Sequence, residues 1–382
     1  MRVITQFEKK TLAFTDPKWI ISCRDPLRLV DCFQQMEQAL SQGFYLAGFF
    51  SYEAGYGFEK KLAKNTVHSF PLIQFGVYTA PRPGLARPRM IRGRADIGEL
   101  SLNISKEKYF SDIAAIRRYI AAGDVYQITY CLKLLFHFTG DPFQLYSMLF
   151  QSQPVPYPAY IEADDFTILS LSPEMFLKKK GAFIITKPMK GTWPRGSNVF
   201  RDLGARWRFQ YDKKNRAENV MIADLLRNDL GRIGSKIRAP KLFEVTPYKL
   251  LYQMTSTVCG QVKPDISVYD LFAALFPSGS VTGAPKIRSM QIIQELEPEE
   301  RRIYTGAIGH ITPRKEMFFN IPIRTLLLQN GRGEMGIGGG IVWDSTPQGE
   351  WEEGLLKARF LTDLAKGKFA DGRFSDSIPG AV

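Results

Sequence analysis

Apolar runs of strand length recur along most of this 382-residue chain, interrupted by a few long amphipathic helices in irregular order. A chain patterned in this way points to an α+β fold with largely antiparallel sheets. Gly43 to Phe50, an aromatic-rich apolar run, reads as a buried strand, and Leu72 to Tyr78 reads as another. From Lys106, the helical spacing of Tyr109, Ile113, Ile116 and Ile120 predicts a helix that ends at Gly123, and Val125 to Phe138 then reads as a strand. With 45% hydrophobic residues the chain can bury a large core, as one big domain or two ordinary ones.

The opening residues contain no apolar stretch of the kind that precedes a secretory cleavage site, and no later run suggests a membrane span, so a cytoplasmic protein is expected. Cys23, Cys32, Cys131 and Cys259 stand far apart, with only His68, His137 and His310 to join them in a metal cluster. Buried reduced thiols are the expectation. A net charge of +13 would suit nucleic acid, and basic clusters occur at Arg87, Arg89, Arg92 and Arg94, at Lys178 to Lys180, and at Lys213, Lys214 and Arg216. None is interleaved with aromatics, which argues against nucleic acid. Solvated charge is the preferred reading, and a small anionic substrate is compatible with it.

Two constellations carry possible chemistry. A turn at Lys180-Gly181 would pair Phe176 to Lys179 with Ala182 to Thr186 and set Glu174 near Lys187, with Lys190 roughly 10 Å farther along the strand. Glu174 and Lys190 would then share one end of a sheet, although spacing alone favours two surface residues flanking a turn. The second constellation lies on helices. A helix beginning near Arg216 puts Glu218 on the same side as Met221, Ile222 and Leu225, where a carboxylate is costly unless a cation meets it. In Trp351 to Leu364, Glu353 aligns with Leu356, Lys357 and Phe360. An exposed i,i+4 ion pair is one reading of Glu353 and Lys357. The other joins Glu218 and Glu353 around a hard divalent ion such as Mg²⁺. Two glycine-rich stretches, 279–286 and 336–341, match no nucleotide fingerprint but can offer backbone N–H groups to an anion.

Taken together, Ser172-Pro-Glu174, Lys187-Pro-Met-Lys-Gly-Thr192, the run from Ala217 to Arg232, Phe276-Pro-Ser-Gly-Ser-Val-Thr-Gly-Ala-Pro-Lys286, Ile323-Arg-Thr325 and Gly338-Gly-Gly-Ile-Val342 resemble the chorismate-utilising enzymes. That family includes anthranilate, aminodeoxychorismate, isochorismate and salicylate synthases. Gly48 to Gly55 extends the likeness toward the N-terminus. The resemblance implies one large domain of two stacked, mostly antiparallel sheets with outer helices. Residues 1–98 would form its N-terminal part with a basic Pro/Arg linker, 99–366 the chorismate-binding core, and 367–382 a flexible tail.

By the same resemblance, Glu218 and Glu353 would hold Mg²⁺ on a substrate carboxylate, while Tyr304, Arg324, Lys357 and the amides of Gly338, Gly339 and Gly340 would grip the carboxylates. Thr282 would line the pocket near the substrate ring, and Glu174 would be the general acid for the departing C4 hydroxyl. Gln127 stands where isochorismate and salicylate synthases place a water-activating lysine. Lys190 stands where anthranilate synthases place alanine, and it resembles the nucleophile of aminodeoxychorismate synthases, whose product leads to para-aminobenzoate and folate. Chorismate and ammonia are the implied substrates. Because no cysteine sits in a Gly-x-Cys-x-Gly setting, a separate glutamine amidotransferase subunit is the expected ammonia source.

Overall fold

The computed structural model describes residues 1–59, 61–62, 66–83, 95–248 and 251–365. Among them, two ten-stranded sheets form the framework, and every strand pairing recorded is antiparallel. One sheet is centred on Gln127–Gly140, Arg332–Ile341 and Thr325–Gln329. The other is centred on Leu251–Val262, Phe183–Lys187, Met175–Lys180 and Ala307–Ile311. N-terminal strands enter both, Arg2–Phe7 in the first and Tyr45–Phe50 in the second.

The near-continuous apolar character of Tyr45–Phe50 has a direct cause. Its alternate residues Leu46 and Phe50 pack with Phe33 and Met36 of the helix Leu29–Ser41, while Ala47 and Phe49 pack with Val3, Ile161 and Ile168 of the other sheet. A strand buried on both faces has no polar side to alternate with. The sheets therefore stack on each other, and helices cover their outer faces. Lys106–Ala121, Pro142–Ser152, Lys286–Leu296 and Pro347–Thr362 pack on one, and Leu29–Ser41, Lys213–Gly231 and Val268–Leu275 on the other. No helix among the described residues is long and apolar enough to cross a membrane.

Several expectations meet small corrections with local causes. The helix after Ser105 ends at Ala121, with Gly123 just beyond it at φ +79°. The helix expected near Arg216 begins at Lys213, because the Asp212 side chain caps it by accepting from Asn215 N at 2.8 Å. Likewise Pro347 and the Thr346 cap start the last helix four residues before Trp351. In the hairpin, Lys180 pairs with Phe183, so the loop is Gly181-Ala182, and a bulge between Met175 and Lys178 restores part of the register. Met175, not Glu174, faces Lys187.

The basic cluster at that hairpin is not wholly solvated. Lys179 is fully buried and donates to the carbonyls of Pro264 and Lys315 at 2.8 and 3.2 Å, which satisfies a charge that solvent does not reach. All four cysteines are buried and free. Arg87, Arg89, Arg92 and Arg94 and the segment 367–382 lie outside the described residues.

Candidate active site

Glu174 sits where the chain leaves one sheet, at Ser172, and enters the other, at Met175. Crossing between stacked sheets takes the carboxylate into the interior. Only 3% of Glu174 is exposed, which rules out a solvated residue flanking a turn. Its Oε1 accepts from Ser280 Oγ at 2.7 Å and from Met189 N at 3.1 Å. Burial nevertheless dominates and pushes the Glu174 carboxyl up to about 7, so it can hold a proton near neutrality.

Lys190 follows Met189 on the strand Met189–Pro194 and lines the same cavity, of about 390 Å³. Burial lowers its pKa below the usual lysine range, against the opposing pull of Glu218, Glu174 and Glu353. A half-buried amine held toward its neutral form in one cavity with a buried carboxyl held toward its acid form is the pairing that nucleophilic displacement with acid assistance needs.

Across the cavity runs the strand Arg332–Ile341, whose glycines let other groups approach. A methyl group at Gly340 would collide with the Gln127 amide nitrogen and stand 2.8 Å from Lys190 Nζ. One at Gly336 would enter the Tyr304 ring. Glycine here is a matter of space, because it allows Gln127, Lys190 and Tyr304 to lie against the backbone. Lys357 Nζ donates to Gly338 O at 2.8 Å and pairs with Glu353 Oε1 at 2.7 Å. Glu353 and Lys357 thus form the i,i+4 pair that the spacing allows, but at the cavity wall.

Arg324 is suited to hold an anion. Only 6% of the residue is exposed, its Nη1 has no hydrogen-bond partner among the described residues, and burial lowers its pKa to about 10. A desolvated guanidinium without a carboxylate beside it is costly, and a bound carboxylate relieves that cost. Tyr304 lines the cavity too, its hydroxyl held un-ionised by burial.

Glu218, from the helix Lys213–Gly231, and Glu353, from the helix Pro347–Thr362, both line the cavity. Burial raises the pKa of Glu218, while Lys357 lowers that of Glu353. Glu350, which the sequence reading did not single out, joins them. It is 9% exposed, accepts from Ser345 Oγ at 2.6 Å and is raised by burial and then by the Glu353 charge. No group of three or more His, Cys, Asp or Glu residues forms a metal cage among the described residues. Carboxylates gathered around Glu353, whose charge helps raise the pKa of both Glu218 and Glu350, still fit an Mg²⁺ ion that takes only one or two protein ligands and completes its shell with substrate oxygens and water.

Two expected residues stand apart from the cavity wall. Thr282 is fully buried and donates to Ser278 O at 3.0 Å. Gln127 is also fully buried, behind Gly340, with neither amide atom hydrogen-bonded. Ser280, Gln253 and Thr129 line the cavity without having been expected there. Glu350 had a legible signal, since Glu350, Glu353 and Lys357 recur at helical spacing on one face. Ser280, a serine within a glycine-rich stretch, had none that distinguished it from a turn residue.

Comparison with known proteins places this geometry. The chorismate binding enzyme family matches the chain over residues 3–363. Over 263 residues the chain is 36% identical to aminodeoxychorismate synthase component 1 of Bacillus subtilis, covering 68% of this chain and 56% of that protein. It is 38% identical over 267 residues to the protein of the same name from Escherichia coli K12, covering 69% and 59%. Anthranilate synthase component 1 of Acinetobacter calcoaceticus is 36% identical over 262 residues, covering 66% and 53%. The chain thus spans less than two thirds of the length of these curated relatives.

Among solved structures, anthranilate synthase component I from Streptococcus pneumoniae superposes with a TM-score of 0.78 at 25% identity, covering 94% of this chain and 92% of that one. An isochorismate synthase from Bacillus anthracis, described as 2,3-dihydroxybenzoate-specific, gives 0.79 at 18% identity over 95% of both chains, a likeness of fold. With the family match running through both sheets and every wall of the cavity, the chain belongs to the chorismate binding enzyme family.

Proposed function

We propose that this chain is the ammonia-using component of an aminodeoxychorismate synthase, converting chorismate and ammonia to 4-amino-4-deoxychorismate on the route to para-aminobenzoate and folate. The observation that carries the reading is Lys190, a half-buried lysine with a lowered pKa in the same cavity as a Glu174 carboxyl raised to about 7. The neutral Lys190 amine attacks C2 of chorismate. Both ring double bonds shift in sequence, the C4–O bond breaks, and Glu174 gives its proton to the departing hydroxyl, which leaves as water. Ammonia then adds at C4, both double bonds shift back, the bond from C2 to Lys190 breaks to free the amine, and the new ammonium group returns a proton to Glu174. Two allylic displacements replace one difficult substitution.

Arg324, Lys357, the Tyr304 hydroxyl and the amides of Gly338 to Gly340 orient the two substrate carboxylates. Glu218, Glu353 and Glu350 are the residues that would hold Mg²⁺, which when bound neutralises a substrate carboxylate at that end of the cavity. The second reading is an anthranilate synthase component, favoured by the similarity to proteins of that name. Lys190 argues against it, because alanine is the residue that the family resemblance gives anthranilate synthases at this position.

The test is product analysis. Purified chain incubated with chorismate, Mg²⁺ and ammonium is expected to form 4-amino-4-deoxychorismate, and glutamine is expected to replace ammonium only after a glutaminase subunit is added. Anthranilate as the sole product sinks the proposal. A titration checks the metal ligands. Glu353→Gln should raise the Mg²⁺ concentration for half-maximal rate at least roughly tenfold, since even outer-shell partners of a metal contribute about 10–100-fold to affinity. An unchanged titration removes Glu353 from the metal site.

A further inference from the structure

The helix Val199–Gln210 lies directly behind the strand that carries Lys190. Its inner side holds Phe209, whose ring centroid is 5.8 Å from that of Trp193 and whose edge lies against Gly191. Arg195 Nε donates to Asp202 Oδ1 at 2.7 Å and Tyr252 donates to Asp202 Oδ2 at 2.8 Å, tying the helix to the wall of the cavity. Its outer side is apolar. Phe200, Leu203 and Trp207, at i, i+3 and i+7, are 86%, 58% and 66% exposed, and Val199 and Tyr211 extend the stripe at 72% and 58%. The rings of Trp207 and Tyr211 lie 5.3 Å apart. Five large apolar side chains in one exposed stripe mark an interaction site.

The charge around the stripe indicates what covers it. At about 100° per residue, Arg201 and Arg208 border one edge and Arg206 the other, while exposed Lys213 follows the helix. Aromatic residues ringed by arginine have the composition of a protein interface. A second copy of this chain would set the same basic rim against itself in a two-fold contact, with +13 on each chain.

We infer that this helix face docks a partner protein with an apolar patch rimmed by carboxylates, and that the partner is the subunit delivering ammonia to the cavity. The partner's identity rests on the activity proposed above. The contact itself rests on the stripe, its basic rim and its place one helix diameter, roughly 10 Å, from the cavity wall.

The experiment titrates the purified glutamine-hydrolysing subunit from the same source against the wild-type chain and Trp207→Glu, by calorimetry and sedimentation. Trp207→Glu is expected to keep its circular dichroism and its ammonium-dependent rate while binding at least about 30-fold more weakly, the effect of losing an interface hot spot. Glutamine-dependent product should fall with it, and added salt should weaken the wild-type complex. Equal binding by both chains overturns the inference, as does the absence of a wild-type complex. A wild-type homodimer that Trp207→Glu dissociates gives the face to a second copy and overturns it as well. If ammonium yields no 4-amino-4-deoxychorismate, the proposed activity fails while the titration still reads the docking face.

Discussion

Replacing Lys190 with alanine is expected to lower formation of 4-amino-4-deoxychorismate by roughly 10⁴-fold or more, the scale on which covalent catalysts lose rate without their nucleophile. The wild-type chain, given chorismate and Mg²⁺ without ammonia, should gain the mass of chorismate less one water on a peptide containing Lys190. The variant should gain nothing and still bind chorismate, because Arg324, Tyr304 and Lys357 stay in place. Alanine also removes the amine that lies against Gly340. Ammonia or water attacking C2 directly could then yield a trace of C2-substituted product. Near wild-type rates from the variant would mean that ammonia reaches C4 without this side chain.

For Glu174→Gln the expected loss is about 10²–10⁴-fold in the chemical step, the usual contribution of a positioned general acid. The Mg²⁺ titration should not change. A pH profile separates this role from a structural one. Since burial raises the Glu174 pKa to about 7, the acid form predominates below that value and is lost as pH rises through it. With free ammonia held constant, kcat/KM for chorismate should therefore fall along an alkaline limb near pH 7. Lys190 works in the opposite sense, because its amine must lose a proton, and its lowered pKa moves the acid limb down. Glu174→Gln should abolish the alkaline limb and keep the acid one. Retention of both limbs would assign the proton to another group.

Much of the framework was legible in the sequence. Short-range patterns carry their own physics: the apolar run at Tyr45–Phe50 suits a strand, and Gly123 with positive φ ends a helix. Ordered motifs also gathered Glu174, Lys190, Glu218, Tyr304, Arg324, Gly338 to Gly340, Glu353 and Lys357, all of which line one cavity. The hairpin register was not legible, because the turn falls at Gly181-Ala182, one residue later than a Lys180-Gly181 turn, and the bulge between Met175 and Lys178 undoes only part of that shift. Thr282 belongs to the same motif as Ser280, yet its hydroxyl turns to Ser278 O while Ser280 reaches Glu174.

What the sequence determined by itself was the identity and order of chemical groups: an amine at 190, carboxyls at 174, 218 and 353, and a guanidinium at 324. What only the tertiary structure decided was their state. Glu174 can hold a proton near neutrality because the crossing between sheets buries it, and Lys179, two residues before the turn of a basic hairpin, is buried among carbonyls rather than solvated. The helix Val199–Gln210 makes the same point from outside, since an apolar stripe defines a face but not the neighbour that covers it. Desolvation depends on every segment packed around a group, and those segments come from distant parts of the chain. Local spacing therefore names the groups, whereas long-range burial sets their charge, their partners and their exposure.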